Sequence, residues 1–179
     1  MTRQILLAGA WLMAFAPAAW AHSFNVVMVV PDDLGQGARN DMAAAFLVAS
    51  EERDGHANEE SDGHLGGLDV YITLATAGDR ARIDGADPDI VALPLAGDAR
   101  SGDAVVLGRM DADSPMAADF LNTAAGGGFA PFAQRFTDRA GRAPGAEATA
   151  AYLAARRIDL AVRQLEGVDE RAELARLLK

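Results

Sequence analysis

A nearly unbroken apolar segment close to the start of the chain most constrains the fold. Residues 24–30 read FNVVMVV, a run rich in β-branched side chains that ends at Pro31. Such a run is typical of a strand buried on both faces of a sheet. After Gly35 and Gly37 the apolar residues recur at helical spacing, at positions 38, 42, 45, 46 and 49. The chain therefore opens with a strand followed by a helix.

The same alternation continues along the chain. Residues 55–67 are too rich in glycine and charge for either element. Further strands are expected at 68–75, 89–93 and 104–108, and helices at 77–85, 131–139, 146–165 and 169–178, with a turn or helical stub at 97–102. Parallel neighbours need crossover connections, which the helices supply. The sequence predicts an α/β fold with a mostly parallel sheet of about four strands, helices on both faces, and a single Rossmann-like lobe.

The first 21 residues have the pattern of a secretory signal peptide. Arg3 gives a positive start, residues 5–15 form an apolar segment, and Ala19-Trp20-Ala21 matches a small-residue cleavage site. We expect cleavage after Ala21, a mature chain that begins at His22, and one domain over residues 22–179. The expected location is the periplasm.

Composition narrows the function classes. The chain has no cysteine, so thiol catalysis, thiolate zinc sites and a lipid-bearing cysteine are excluded. Its formal net charge of −10 argues against a nucleic-acid partner and suits a cation or a cationic ligand. No GxSxG elbow occurs, and Asn40 stands where a dinucleotide fingerprint needs its third glycine. We therefore expect a protein that is not an enzyme.

Both ends of the chain resemble a known family. The resemblance is carried by the first strand, the turn at 31–37 and the following helix, and by the stretches 132–136, 140–144, 151–155 and 168–171. These segments are similar to type I periplasmic solute-binding proteins of the leucine/isoleucine/valine-binding kind. The resemblance implies a small-molecule ligand and a role accessory to an ABC-type transport system. Members of that family have two lobes, and this chain corresponds to about one.

The turn after the first strand is the predicted ligand site. Asp32, Asp33, Gly35 and Gln36 lie at the carboxyl edge of the predicted sheet, where open α/β folds bind ligands. Asp98 joins them as the end of the stretch 94–98, which matches the head-group segment of the similar family. The two aspartates at 32 and 33 favour an ammonium or another cation. Alternatively, Asp33 only caps the helix.

The histidines suggest a second site, for a metal ion. His22 precedes the first strand, and His56 and His64 lie in the polar segment that leads into the second, together with Glu59, Glu60 and Asp62. If the two strands are neighbours, their starts are about 5 Å apart. The nitrogen and oxygen donors favour Cu(II) or Zn(II). Alternatively, the segment is a solvated acidic loop.

A third class of function is protein interaction. A single lobe would leave one face uncovered, and large exposed apolar patches mark interfaces. A membrane transporter, another periplasmic protein or a second copy of the chain would be the partner. The sequence leaves the three classes open.

Overall fold

The fold is a five-stranded, mostly parallel sheet with helices. The computed structural model describes residues 23–52, 60–95, 97–110 and 129–179, with the backbone alone at Phe129. The strands are β1 (Ser23–Val30), β2 (His64–Leu65), β3 (Leu68–Thr76), β4 (Ile90–Ala92) and β5 (Val105–Leu107), in the spatial order β2-β3-β1-β4-β5. The helices are α1 (Gln36–Glu51), α2 (Arg80–Gly85), α3 (Phe129–Ala140), α4 (Ala146–Leu165) and α5 (Arg171–Leu177). The predicted α/β class and mostly parallel sheet are confirmed; the predicted signal peptide, residues 1–21, lies outside the described residues.

Four strands run parallel and occupy the segments predicted for them. β1 pairs with β3 on one side, with Ser23 opposite Asp69 and Val30 opposite Thr76, and with β4 on the other side. β5 follows β4 in parallel. The first two parallel strands are therefore neighbours, which is the condition set for the predicted metal site, and β1 lies in the middle of the sheet.

The fifth strand was not expected. β2 pairs antiparallel with β3 through a two-residue turn at Gly66-Gly67, inside the segment predicted to form neither element. Both glycines have positive φ, 69° and 90°, the combination that a type I′ hairpin turn requires. The prediction of about four strands is therefore short by one strand, β2.

The two faces of the sheet are covered unequally. Phe24, Val26, Met28 and Val30 of β1 are buried in the larger core, beneath side chains of α1, α3, α4 and α5. Val27 and Val29 point to the opposite face, where they join Ile83 of α2 in a smaller core. The alternation follows from the pleat of the strand. Helices lie on both faces as predicted, but among the described helices only the six-residue α2 covers the second face.

Several helix boundaries differ from the prediction. α4 has the predicted bounds, although Glu166, in the left-handed conformation, ends it rather than Gly167. α2 begins at Arg80, three residues late, because the Asp79 side chain caps it by accepting from the Arg82 N–H. α5 begins at Arg171 rather than at a cap on Asp169. Residues 97–102, expected to form a turn or a helical stub, form no helix, and a turn is present at Gly102.

No described helix is both long enough and apolar enough to cross a bilayer.

Candidate functional site

A pocket of about 310 Å³ lies at the carboxyl edge of β1 and β3. It is lined by side chains from the ends of both strands and from the beginnings of the helices that follow them: Val30, Gln36, Arg39, Leu74, Ala75, Thr76, Asp79 and Arg82. Its volume is at the lower end of the range for small-molecule sites. The pocket is therefore large enough for a small solute.

Asp32 joins the two loops beside this pocket. Its Oδ1 accepts a hydrogen bond of 3.0 Å from the Gly78 N–H. The Thr76 hydroxyl and this N–H, with the nearby Arg39 charge, hold the pKa of Asp32 below its usual value. Hydrogen bonds to the ionised form have this effect on any carboxyl group. The Asp32 carboxylate thus accepts hydrogen bonds from groups of the protein, and these bonds join the end of β1 to the end of β3.

The other predicted ligand residues are arranged around α1 and beyond it. Gly35 is the N-cap of α1, with no side-chain hydrogen bond, so the alternative role predicted for Asp33, capping this helix, is wrong. Asp33 is exposed. Gln36 lines the pocket and donates to Asn40 Oδ1 at 2.8 Å. Asp98 is exposed, 3.8 Å from Arg100, and does not line the pocket.

Sequence reasoning missed the basic side chains of the pocket. Arg39 lies one turn into α1, where its Nε donates to the Leu34 carbonyl and its Nη2 to the Asp32 carbonyl, both at 2.7 Å. Arg82 comes from α2. Parallel strands end at the same edge of a sheet, so the argument applied to the end of β1 could also have been applied to the end of β3, where it would have identified Arg82. Arg39 lies on the helix that follows β1, where the argument had already been applied.

The predicted metal ligands are only partly described. His22, His56 and Glu59 lie outside the described residues. Asp62 Oδ2 accepts from the Ile72 N–H at 2.7 Å, and Glu60 is exposed. His64 Nε2 lies 3.0 Å from Asp69 Oδ1. Within the described part of the chain, no three potential ligands converge on one point.

A buried charged cluster lies on the larger-core side, where α4 meets the end of α1. Arg156 is only 1% exposed, and its Nη1 lies 3.3 Å from Glu52 Oε2 and 3.4 Å from Asp159 Oδ2. Glu52 also accepts from the Tyr152 hydroxyl and pairs with Arg135. Burial and the Glu52 charge raise the pKa of Tyr152 above its usual value. Asp159 accepts from the Gly66 N–H, so the cluster links α1, α4 and the hairpin.

A second pocket, of about 410 Å³, borders this cluster. It is lined by Val48, Glu51, Glu52, Arg135, Asp138 and Arg139. Four of its charges are paired, Arg139 with Glu51 and Arg135 with Glu52, and Asp138 accepts a hydrogen bond from Gln134. The end of α1 lies at the amino edge of the sheet, away from the edge where open α/β folds bind ligands. We therefore regard the cluster as scaffold.

The thinly covered face of the sheet has a small buried core, but its exposed described residues do not form a large apolar patch. Of the large apolar side chains that the structure describes, Tyr71 is the exposed one, at 41%. Asn25 and Thr73, on the same face, are polar. A large exposed apolar patch, which the docking hypothesis expects, is therefore not found within the described residues.

Comparison of the chain with protein-family models, curated proteins and solved structures gave no match.

Proposed function

We propose that the chain is a small-solute-binding domain whose binding site is the pocket at the carboxyl edge of β1 and β3. The observation that carries the proposal is the pocket itself, about 310 Å³ in volume and lined from two strands and the helices that follow them. Open α/β folds bind ligands in this position. A shortened, Rossmann-like relative of the type I solute-binding proteins, exported to the periplasm by residues 1–21 and accessory to an ABC-type transporter, fits this function.

The scaffold around the pocket supports binding without a second lobe. Asp32 joins the loops at the ends of β1 and β3, and Arg39 fixes the Leu34 and Asp32 carbonyls. A site held by such contacts loses little conformational freedom when a ligand enters. We expect a binding event with no large change of shape, which small-angle scattering with and without ligand would measure.

The test is to fill the pocket. Gln36→Trp places a large side chain at its rim, and Gln164→Trp makes the same substitution at an exposed position of α4, outside the lining. Amino acids, small carboxylates, amines and alcohols are titrated singly while backbone amide NMR signals are recorded. We expect at least one compound to shift the signals of residues 30–39 and 74–82 saturably, and Gln36→Trp alone to abolish the shift. If no compound acts there, or if both variants bind equally well, the proposal is wrong.

A second candidate function, metal binding at the opposite edge, has one favourable observation. Ser23, the residue that follows His22, pairs with Asp69 of β3, and the Asp69 carboxylate lies 3.0 Å from the His64 ring. We propose a shared Cu(II) or Zn(II) ion for His22, His56 and His64. Titration with either ion should shift all three histidine signals in one step, and changing His56 and His64 to Ala should remove most of the affinity. Independent titration of each histidine would contradict the proposal.

A further inference from the structure

We infer that the ligand of the carboxyl-edge pocket carries an anionic group, a carboxylate or a phosphate, held by Arg39 and Arg82. This inference rests on the proposed function of the pocket and adds the chemical class of its ligand. It reverses the sign of the ligand charge that Asp32 and Asp33 suggest in the sequence.

The acidic groups near the pocket already have protein donors. Asp32 Oδ1 accepts from the Gly78 N–H at 3.0 Å, and the Thr76 hydroxyl binds the same carboxylate. Asp79 Oδ1 accepts from the Arg82 N–H at 3.1 Å as the cap of α2. A cationic ligand would have to compete with these bonds. Asp33 is exposed and does not line the pocket.

Arg39 presents a fixed positive charge. Two of its three guanidinium nitrogens donate to backbone carbonyls at 2.7 Å, which sets the plane of the group. Its Nη1 has no hydrogen bond within the described residues. Since a guanidinium carries only donors, what this nitrogen can take up is an acceptor.

Arg82 supplies the second charge from a different element. Its guanidinium makes no hydrogen bond or ion pair with the part of the chain that the structure describes. The neighbouring Arg80, by contrast, pairs with Asp84 at 3.2 Å. The pocket therefore contains the Arg39 guanidinium, held by two backbone carbonyls, and the Arg82 guanidinium, which has no partner within the described residues. An anionic group can accept hydrogen bonds from both.

The experiment compares solutes that differ only in their charged group. 4-Methylpentanoate carries a carboxylate, 3-methylbutylamine an ammonium and 3-methylbutanol neither, and inorganic phosphate tests the second anionic source. Each is titrated into the full chain, into Arg82→Gln and into Arg80→Gln, which loses the same charge outside the pocket. The shifts of amide signals at residues 30–39 and 74–82 give the affinity.

We expect the carboxylate or phosphate to bind at these residues, and Arg82→Gln to weaken binding at least tenfold, about 1.4 kcal/mol. Arg80→Gln should change the affinity less than twofold. Binding of 4-methylpentanoate alone identifies a carboxylate ligand, and binding of phosphate alone a phosphorylated one. If only the amine or the alcohol binds there, or if both variants weaken binding equally, the anionic class is wrong while the pocket remains a binding site. If none of the four binds there, the anionic class is wrong, and the wider panel of solutes titrated above decides whether the pocket is a binding site.

Discussion

Replacing Gly66 by alanine tests how closely the β2–β3 hairpin approaches α4. The backbone of Gly66 has φ of 69°, and a Cβ there would lie 2.5 Å from Val162 Cγ1 and 2.8 Å from the Arg163 nitrogen. Gly67 provides the matched control, because its φ of 90° is also positive but a Cβ there would have no heavy atom within 4 Å. The two variants share the backbone strain and differ in the clash.

The expected magnitudes follow from these distances. The left-handed backbone alone costs an L-residue about 1 kcal/mol, which is the loss expected for Gly67→Ala. A Cβ that forces α4 and the hairpin apart adds about 2 kcal/mol, so Gly66→Ala should lose about 3 kcal/mol of unfolding free energy. With a urea slope of about 2 kcal/mol per M, the midpoints should fall by about 0.5 M and about 1.5 M, respectively.

Urea unfolding followed by circular dichroism at 222 nm measures both midpoints. Equal losses in the two variants would refute the close approach of the hairpin to α4. The backbone amide of residue 66 donates to Asp159 in the wild type. The close approach would also be refuted if Gly66→Ala were destabilised while this amide exchanged with solvent no faster than in the wild type.

Three further predictions concern buried or perturbed charges. Arg156→Met should lower the unfolding free energy by about 3 kcal/mol in the same urea assay, because two buried carboxylates lose a partner. Arg163→Gln removes a half-exposed partner of Asp159 and should lower the unfolding free energy by less than about 1 kcal/mol. The pKa of Asp32 is lowered on folding, so the stability that this carboxylate contributes is present above pH 3.8 and is lost as the pH falls below that value. Urea midpoints should therefore show Asp32→Asn destabilised relative to the wild type at pH 7, and nearly equal to it at the most acidic pH at which both proteins fold. The pKa of Tyr152 is raised from 10.0, so the wild type should lose stability as the pH rises above 10, and midpoints of Tyr152→Phe between pH 9 and 11 should lack that loss.

The sequence predicted those elements whose pattern is local. β1, β3 and α4 were found because a buried strand and an amphipathic helix repeat their apolar residues at a characteristic spacing. β2 was missed because two residues, His64 and Leu65, are too few to show a period. Its one local signal was the Gly66-Gly67 pair, which is typical of a hairpin turn.

The sites were harder to predict because they depend on distant pairings. The sequence indicates that Asp32 and Gln36 follow β1 at the carboxyl edge of the sheet. It does not show that the Asp32 carboxylate accepts a hydrogen bond from Gly78, which lies 46 residues away. The contact between Glu52 and Arg156 likewise joins two helices that are far apart in sequence. No spacing rule within one element identifies such partners.

The backbone of β3 on the side away from β1 has a consequence for self-association. The Val70 N–H donates to the Gly63 carbonyl, the Val70 carbonyl accepts from the Asp62 N–H, and the Asp62 carboxylate accepts from the Ile72 N–H. A strand from another molecule that added here would first have to displace these bonds, because edge pairing requires unoccupied N–H and C=O groups. Asp62 and Gly63 therefore occupy the β3 backbone groups that an added strand would need, so the Asp62 carboxylate, which the sequence suggests as a metal ligand, acts here as a cover for a sheet edge.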